Sequence, residues 1–82
     1  MRYRLEIKHE ALAQLRALSK EDRRNIGWRM DALQNDLSGN VKKLTARTQE
    51  YRLRVGSYRV LFMLDADLIV VDAVKNRKEA YD

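Results

Sequence analysis

Cysteine and proline are both missing from these 82 residues, and glycine occurs only three times. Without cysteine no disulfide framework and no thiolate metal site can be built, which points to an intracellular protein. Without proline, and with so little glycine, nothing suggests a flexible linker or a disordered tail. The chain therefore reads as one small domain, residues 1–82, burying a modest core. No apolar run approaches the roughly 18 residues of a membrane span. The opening stretch MRYRLEIK lacks the apolar segment of a secretory signal. A cytoplasmic protein with no membrane contact is the expectation. His9 is the only histidine, which excludes histidine-pair metal sites and a two-histidine ribonuclease mechanism. There is no glycine-rich phosphate loop. Asp65 and Asp67 flank a turn, where aspartate is simply a good turn former. Neither a metal nor a cofactor is expected.

What the chain does have is positive charge in one place. Seventeen basic residues against twelve acidic ones give a net charge of +5. Between Lys42 and Arg59 stand six basic residues, Lys42, Lys43, Arg47, Arg52, Arg54 and Arg59, and a single acid, Glu50. The rest of the chain balances. A localised basic patch is the electrostatic footprint of a nucleic-acid partner, and equally of a merely solvated basic face. Charge alone does not choose between them.

The patch falls on the stretch around which the chain is organised, Tyr51 to Leu64, YRLRVGSYRVLFML. Two alternating runs flank Gly56-Ser57, a two-residue loop of the glycine-first kind that closes β-hairpins. Such a loop fixes register, pairing Val55 with Tyr58, Arg54 with Arg59, Leu53 with Val60 and Arg52 with Leu61. Side chains alternate with period two. One face therefore carries Tyr51, Leu53, Val55, Tyr58, Val60, Phe62 and Leu64 as core, and the other Arg52, Arg54, Arg59, Leu61 and Met63. Arg54 opposite Arg59 destabilises the strand pair. A sequence that tolerates this answers to a polyanion rather than to stability.

Around the hairpin the remaining elements follow from periodicity. Arg2 to Lys8 alternate as a half-buried strand. Ala11, Leu12, Leu15 and Leu18 set a first helix over His9 to Leu18, with His9 an exposed helix-start residue. Ser19 with Asp22 three residues later caps a second helix from Lys20, whose stripe is Ile26, Met30, Leu33 and Leu37 and whose stop is Gly39. Gly27 inside it costs about 1 kcal/mol against alanine, for which close packing is the expected reason. Trp28 lies off the stripe and is expected buried at the helix–helix contact, as Met30 and Phe62 are in the core. Leu37 to Lys43 reads as a connector, and Lys43 to Thr48 as a short strand or an extended lead-in. Asp65-Ala66-Asp67 is a second tight turn, and the β-branched run Leu68 to Val74 a last strand. The order is β-α-α-β-β-β, an α+β domain in which a small antiparallel sheet carries a two-helix hairpin packed on it.

Guanidinium groups concentrated on a rigid sheet face suit phosphate, because each presents a planar fork of donors. Several converging on one phosphate would stabilise charge that builds up in phosphoryl transfer. In RNA the neighbouring 2′-hydroxyl is an internal nucleophile, so no metal is obligatory. Arginine is a poor general base. Tyr81 and Lys75 are better proton carriers, although on the residues alone a frayed terminal aromatic and a solvated basic tail are the simpler account of Tyr81, Arg77 and Lys78.

The hairpin YRLRVGSYRVLF, the strand LIVVDAV and the ending KNRKEAY together resemble the RelE/ParE toxin superfamily of bacterial and archaeal toxin–antitoxin systems. The likeness runs over nearly the whole chain, including Lys43-Leu44 before the hairpin. It implies the fold just derived. RelE-like members are ribosome-dependent ribonucleases that cut mRNA in the decoding site without metal, by 2′-hydroxyl attack on the adjacent phosphorus. By this resemblance the catalytic residues fall on Arg52, Arg54, Arg59, Arg77 and Tyr81. Arg59 and Arg77 would hold the scissile phosphate, Arg52 and Arg54 would position the backbone, and Tyr81 would act as base or stack on a base. Lys42, Lys43, Arg47 and Lys75 would bind RNA. The first-strand positions are lysine in the best-known RelE members and arginine here. In some members the C-terminal arginine lies six residues before the tyrosine, which here is Lys75. The partners implied are a cognate antitoxin, the ribosome and mRNA. A ParE-like inhibitor of DNA gyrase without nuclease activity, or an inactive module that binds only its antitoxin, would share the same fold.

Overall fold

The computed structural model describes residues 2–35, 37, 41–44 and 49–76. Five strands and two helices follow in the order β1 (Arg4–Ile7), α1 (His9–Arg16), α2 (Lys20–Leu33), β2 (Val41–Lys43), β3 (Glu50–Val55), β4 (Tyr58–Asp65) and β5 (Leu68–Asn76). The strands form one sheet ordered β1-β5-β4-β3-β2. The expected α+β architecture is present, with two differences. β1 pairs parallel to β5, so the sheet is mixed rather than wholly antiparallel. Val41–Lys43, expected as connector, adds a short edge strand antiparallel to β3. Thr45 to Thr48 lie outside the described residues.

The hairpin register is the one the loop dictates: Val55 pairs with Tyr58, Arg54 with Arg59, Leu53 with Val60 and Arg52 with Leu61. Gly56 has φ +57°, the left-handed value that the first position of this turn requires and that glycine adopts freely. At the second turn Ala66 takes φ +54°, at a steric cost of about 1–2 kcal/mol for a side chain with a Cβ.

Both helices lie on one face of the sheet. Leu53, Val60, Phe62, Ile69, Val71 and Val74 meet Ala11 of α1 and Ile26, Met30 and Leu33 of α2 in a single buried cluster. Each large apolar side chain so buried contributes about 1.5–3 kcal/mol. Ser19 caps α2 as expected, its Oγ accepting from the Asp22 amide at 3.2 Å. The Tyr58 hydroxyl donates to Asp22 Oδ2 at 3.1 Å and ties the hairpin to the start of that helix. β5 runs on past the end of β1, and there Gln14 of α1 accepts from the Val74 amide at 2.7 Å. That bond satisfies a ladder donor with no strand beside it.

Three expectations fail on α2. The helix ends at Leu33, before the Gly39 stop. Trp28 is 67% exposed. At 100° per residue it lies about 200° from both Ile26 and Met30, so a helix seated on those two turns its indole away from the sheet. Close packing does not account for Gly27 either, since a Cβ built there meets nothing within 4 Å. Gly27→Ala should therefore stabilise the chain by about 1 kcal/mol, the helix-propensity difference with no steric penalty, measured as a higher midpoint of urea unfolding at unchanged slope.

Candidate nucleic-acid interface

The face of the sheet turned away from the helices carries the charge. Register places Arg54 beside Arg59, and Arg59 beside Lys75 on the next strand. The three form one row across β3, β4 and β5. Adjacent strands lie about 4.8 Å apart, so the row brings three cations within about 10 Å at their backbones. A second row, next to it, runs Lys42, Arg52, Leu61 and Ala73.

Lys75 reaches this face through an irregularity. The β4–β5 ladder pairs Leu61 with Ala73 but Phe62 with Val71, leaving Asp72 without a partner across the pair. This is a β-bulge, in which one extra residue shifts the alternation of everything after it. Counted from Ile69 and Val71, which face the helices, strict alternation would send Ala73 and Lys75 the same way. The bulge turns both onto the open face and puts Val74 into the core, where it is 6% exposed. Asp72 itself is held by Lys8, whose Nζ lies 2.7 Å from its carboxylate. That hydrogen bond and the attraction between the charges raise the lysine above its ordinary pKa.

Within the row the environments differ. Arg54 is exposed, whereas Arg59, at 1% exposure, is the one charged side chain buried among the described residues. Its Nη1 donates to the Tyr58 carbonyl at 3.4 Å. Arg52 is half-buried, and its Nε is shielded from solvent without an acceptor among the described residues. These guanidiniums are fixed by packing rather than extended into water, as a preorganised anion site requires.

Of the residues singled out by the sequence, Lys42, Arg52, Arg54, Arg59 and Lys75 share this face. Lys43 does not: it pairs with Tyr51, on the helix-bearing side, and is exposed there. Arg47, Arg77 and Tyr81 lie outside the described residues. Asp67 is taken by Arg4, whose Nη2 donates to Oδ1 at 2.9 Å. The hydrogen bond and the adjacent charge hold that carboxyl below its usual range. Among the described residues no cluster of histidine or carboxylate side chains could hold a metal ion, and no helix is long and apolar enough to cross a membrane. Reasoning from periodicity missed the bulge, whose only trace is the acid at Asp72 inside an otherwise apolar run.

The architecture agrees with comparisons to known proteins. Over residues 5–81 the chain matches the family described as ParE toxin of type II toxin-antitoxin system, parDE, and it belongs to that family. The resemblance to the RelE/ParE superfamily drawn from the hairpin and last strand is borne out, and the relatives carry both names. Toxin RelE3 of Methanocaldococcus jannaschii is 40% identical over 48 residues, covering 58% of this chain and 54% of that protein. The match thus spans about half the length of this curated relative. A chain of the archaeal RelE-RelB complex from Pyrococcus horikoshii superposes with a TM-score of 0.82 at 28% identity, over 94% of this chain and 97% of that one. The free-state E. coli toxin RelE reaches 0.82 at 20% identity, over 99% of this chain and 90% of that one, a likeness of fold.

The cationic row predicts opposite effects on stability and binding. Arg54→Gln removes a charge facing Arg59, so the free energy of chemical unfolding should rise, by up to about 1 kcal/mol. Affinity for a single-stranded polyanion such as poly(U) should fall, and the slope of log K against log salt should shrink by about 0.7.

Proposed function

We propose that the chain is the toxin of a type II toxin–antitoxin pair and acts as a ribosome-dependent endoribonuclease on mRNA. The observation that carries this reading is the row Arg54–Arg59–Lys75, three cations on one rigid sheet face at the cost of cross-strand repulsion. Phosphate is the ligand that such a row suits. An RNA phosphodiester laid across it would have its non-bridging oxygens held by the exposed Arg54, with the buried Arg59 adding its charge from beneath and Arg52 on the neighbouring backbone. The 2′-oxygen then attacks the adjacent phosphorus as the bond to the 5′-oxygen breaks, leaving a 2′,3′-cyclic phosphate and a free 5′-hydroxyl. Negative charge on the phosphoryl oxygens grows as the phosphorus adds its fifth oxygen, and fixed guanidiniums stabilise that charge without reorganising. Arginine holds its proton, so proton transfer falls to Lys75 or Tyr81. Arg77 would complete the grip on the phosphate, and Lys42 and Arg47 would guide the strand.

The antitoxin follows from the same face. The archaeal structural relatives are RelE-RelB complexes, and a partner offering carboxylates to the row would offset its repulsion and stabilise the toxin by mass action. The family's ParE description favours a second reading, a gyrase inhibitor with no nuclease activity.

Translation reactions with 5′-end mapping of the message separate the two. The full chain should cut mRNA only when ribosomes are translating it. Arg54→Ala, Arg59→Met and Tyr81→Phe should each lower cutting by tenfold or more. Methionine at position 59 keeps the buried hydrocarbon while removing the charge, so a folded, inactive variant is readable as chemistry. Intact messages alongside blocked DNA supercoiling would transfer the assignment to gyrase.

A further inference from the structure

The side of the molecule opposite the cationic row is made by the helices, and there α2 leaves an aromatic uncovered. Trp28, at 67%, is the most exposed large apolar side chain among the described residues. The core has no use for it, since Ile26, Met30 and Leu33 already seat the helix on the sheet. At 100° per residue, Glu21, Arg24 and Asp31 fall within about 60° of Trp28 round the helix. All three are exposed. The ion pairs among the described residues are Arg4–Asp67 and Lys8–Asp72. Among those residues, then, Arg24 and Asp31 hold no charged partner.

A ligand for this patch must cover an indole and answer charges of both signs. Two acids and one base surround Trp28, so a nucleic-acid phosphate meets net repulsion there. A second copy of α2 fits. Along the helix axis Arg24 stands about 6 Å before Trp28 and Asp31 about 4.5 Å after it. Reversing a second helix across a two-fold axis at Trp28 brings its Asp31 to within about 1.5 Å of the level of Arg24. Both residues lie on the same side of Trp28, at about 40° and 60° round the helix. A two-fold axis running between the helices preserves that side. Packed helices lie roughly 8–10 Å apart, which an arginine spans to meet a carboxylate. Symmetry repeats the pair, so the patch is its own complement. The two indoles meet on the axis, where an offset stack is the favoured aromatic contact. Parallel helices would instead set Arg24 against Arg24 and Asp31 against Asp31.

We propose that the outer face of α2 is a homodimer interface, in which two copies pack their helices antiparallel about Trp28 and exchange Arg24–Asp31 ion pairs. One helix from each chain buries less than the roughly 1,200 Å² of a standard stable complex, so the dimer is reversible at micromolar concentration. The cationic row of each chain points away from the contact and stays open. The interface does not depend on whether the chain is a nuclease.

Sedimentation velocity of the full chain, free of antitoxin and over a wide range of micromolar concentrations, reads the association. The wild-type chain should pass from monomer to dimer as its concentration rises. Trp28→Ser replaces an exposed side chain, and circular dichroism checks that it folds; it should weaken dimerisation tenfold or more. Charge reversal reads the geometry. Arg24→Asp and Asp31→Arg each set like charges together twice across the axis, so neither should self-associate. Mixed, the two should form a heterodimer, because every contact is again Asp against Arg. The double variant Arg24→Asp/Asp31→Arg should dimerise as the wild type does. A wild-type chain that stays monomeric throughout overturns the proposal, as does a dimer that Trp28→Ser or the single reversals leave unchanged. A double variant no stronger than the singles overturns it too. Loss of antitoxin or ribosome binding in Trp28→Ser, with the wild-type chain monomeric, would give this face to that partner instead.

Discussion

Like charges on neighbouring strands repel, and this fold nonetheless holds three of them in line. Everything else in the molecule can be understood as the support for that row. The helices cover the other side of the sheet and bury Leu53, Val60 and Val74. Arg54, Arg59 and Lys75 lie on the same three strands as those core residues and are anchored by them. The hairpin turn fixes which residues on β3 and β4 are opposite, and the bulge at Asp72 fixes which residue of β5 joins them. Burial of Arg59 at the centre of the row raises the local field, because a charge away from water is less screened. The arrangement opposes stability at the place where the chemistry is proposed and relies on the opposite face to keep the chain folded.

The hairpin was legible in the sequence because a two-residue loop leaves only one register, and period-two alternation then assigns both faces. The capped start of α2 was legible for the same kind of reason: Ser19 and Asp22 make a local bond whatever the rest of the chain does. What escaped was non-local. The parallel pairing of β1 with β5 joins residues more than sixty positions apart, and neither strand announces the other. The extra residue at Asp72 leaves no trace but its own charge, because Ala and Val alternate acceptably in either register. Trp28 misled because a large aromatic is usually sheltered, whereas helix geometry around Ile26 and Met30 leaves it outside. The candidate site was legible in its residue types more than in its membership. Lys43 looked like one more cation of the basic stretch, and one step along β2 sends it to the wrong side of the sheet.

The two family names attached to the relatives belong to one architecture, and the fold does not decide between them. A small mixed sheet with paired helices can present any surface on its open side. What distinguishes one member from another must therefore be sought in the rows of that open side, and here one of them sets Arg54, Arg59 and Lys75 side by side.

Trp28 is the chain's single tryptophan, and it stands on the outside of α2. Its indole meets water in the folded chain nearly as it would in the unfolded one, so ultraviolet emission makes a poor gauge of folding. It makes a directional optical label instead. A macromolecule settling on the outer side of α2 would shift that emission to the blue, while one settling on the opposite, arginine-bearing side would leave it where it was.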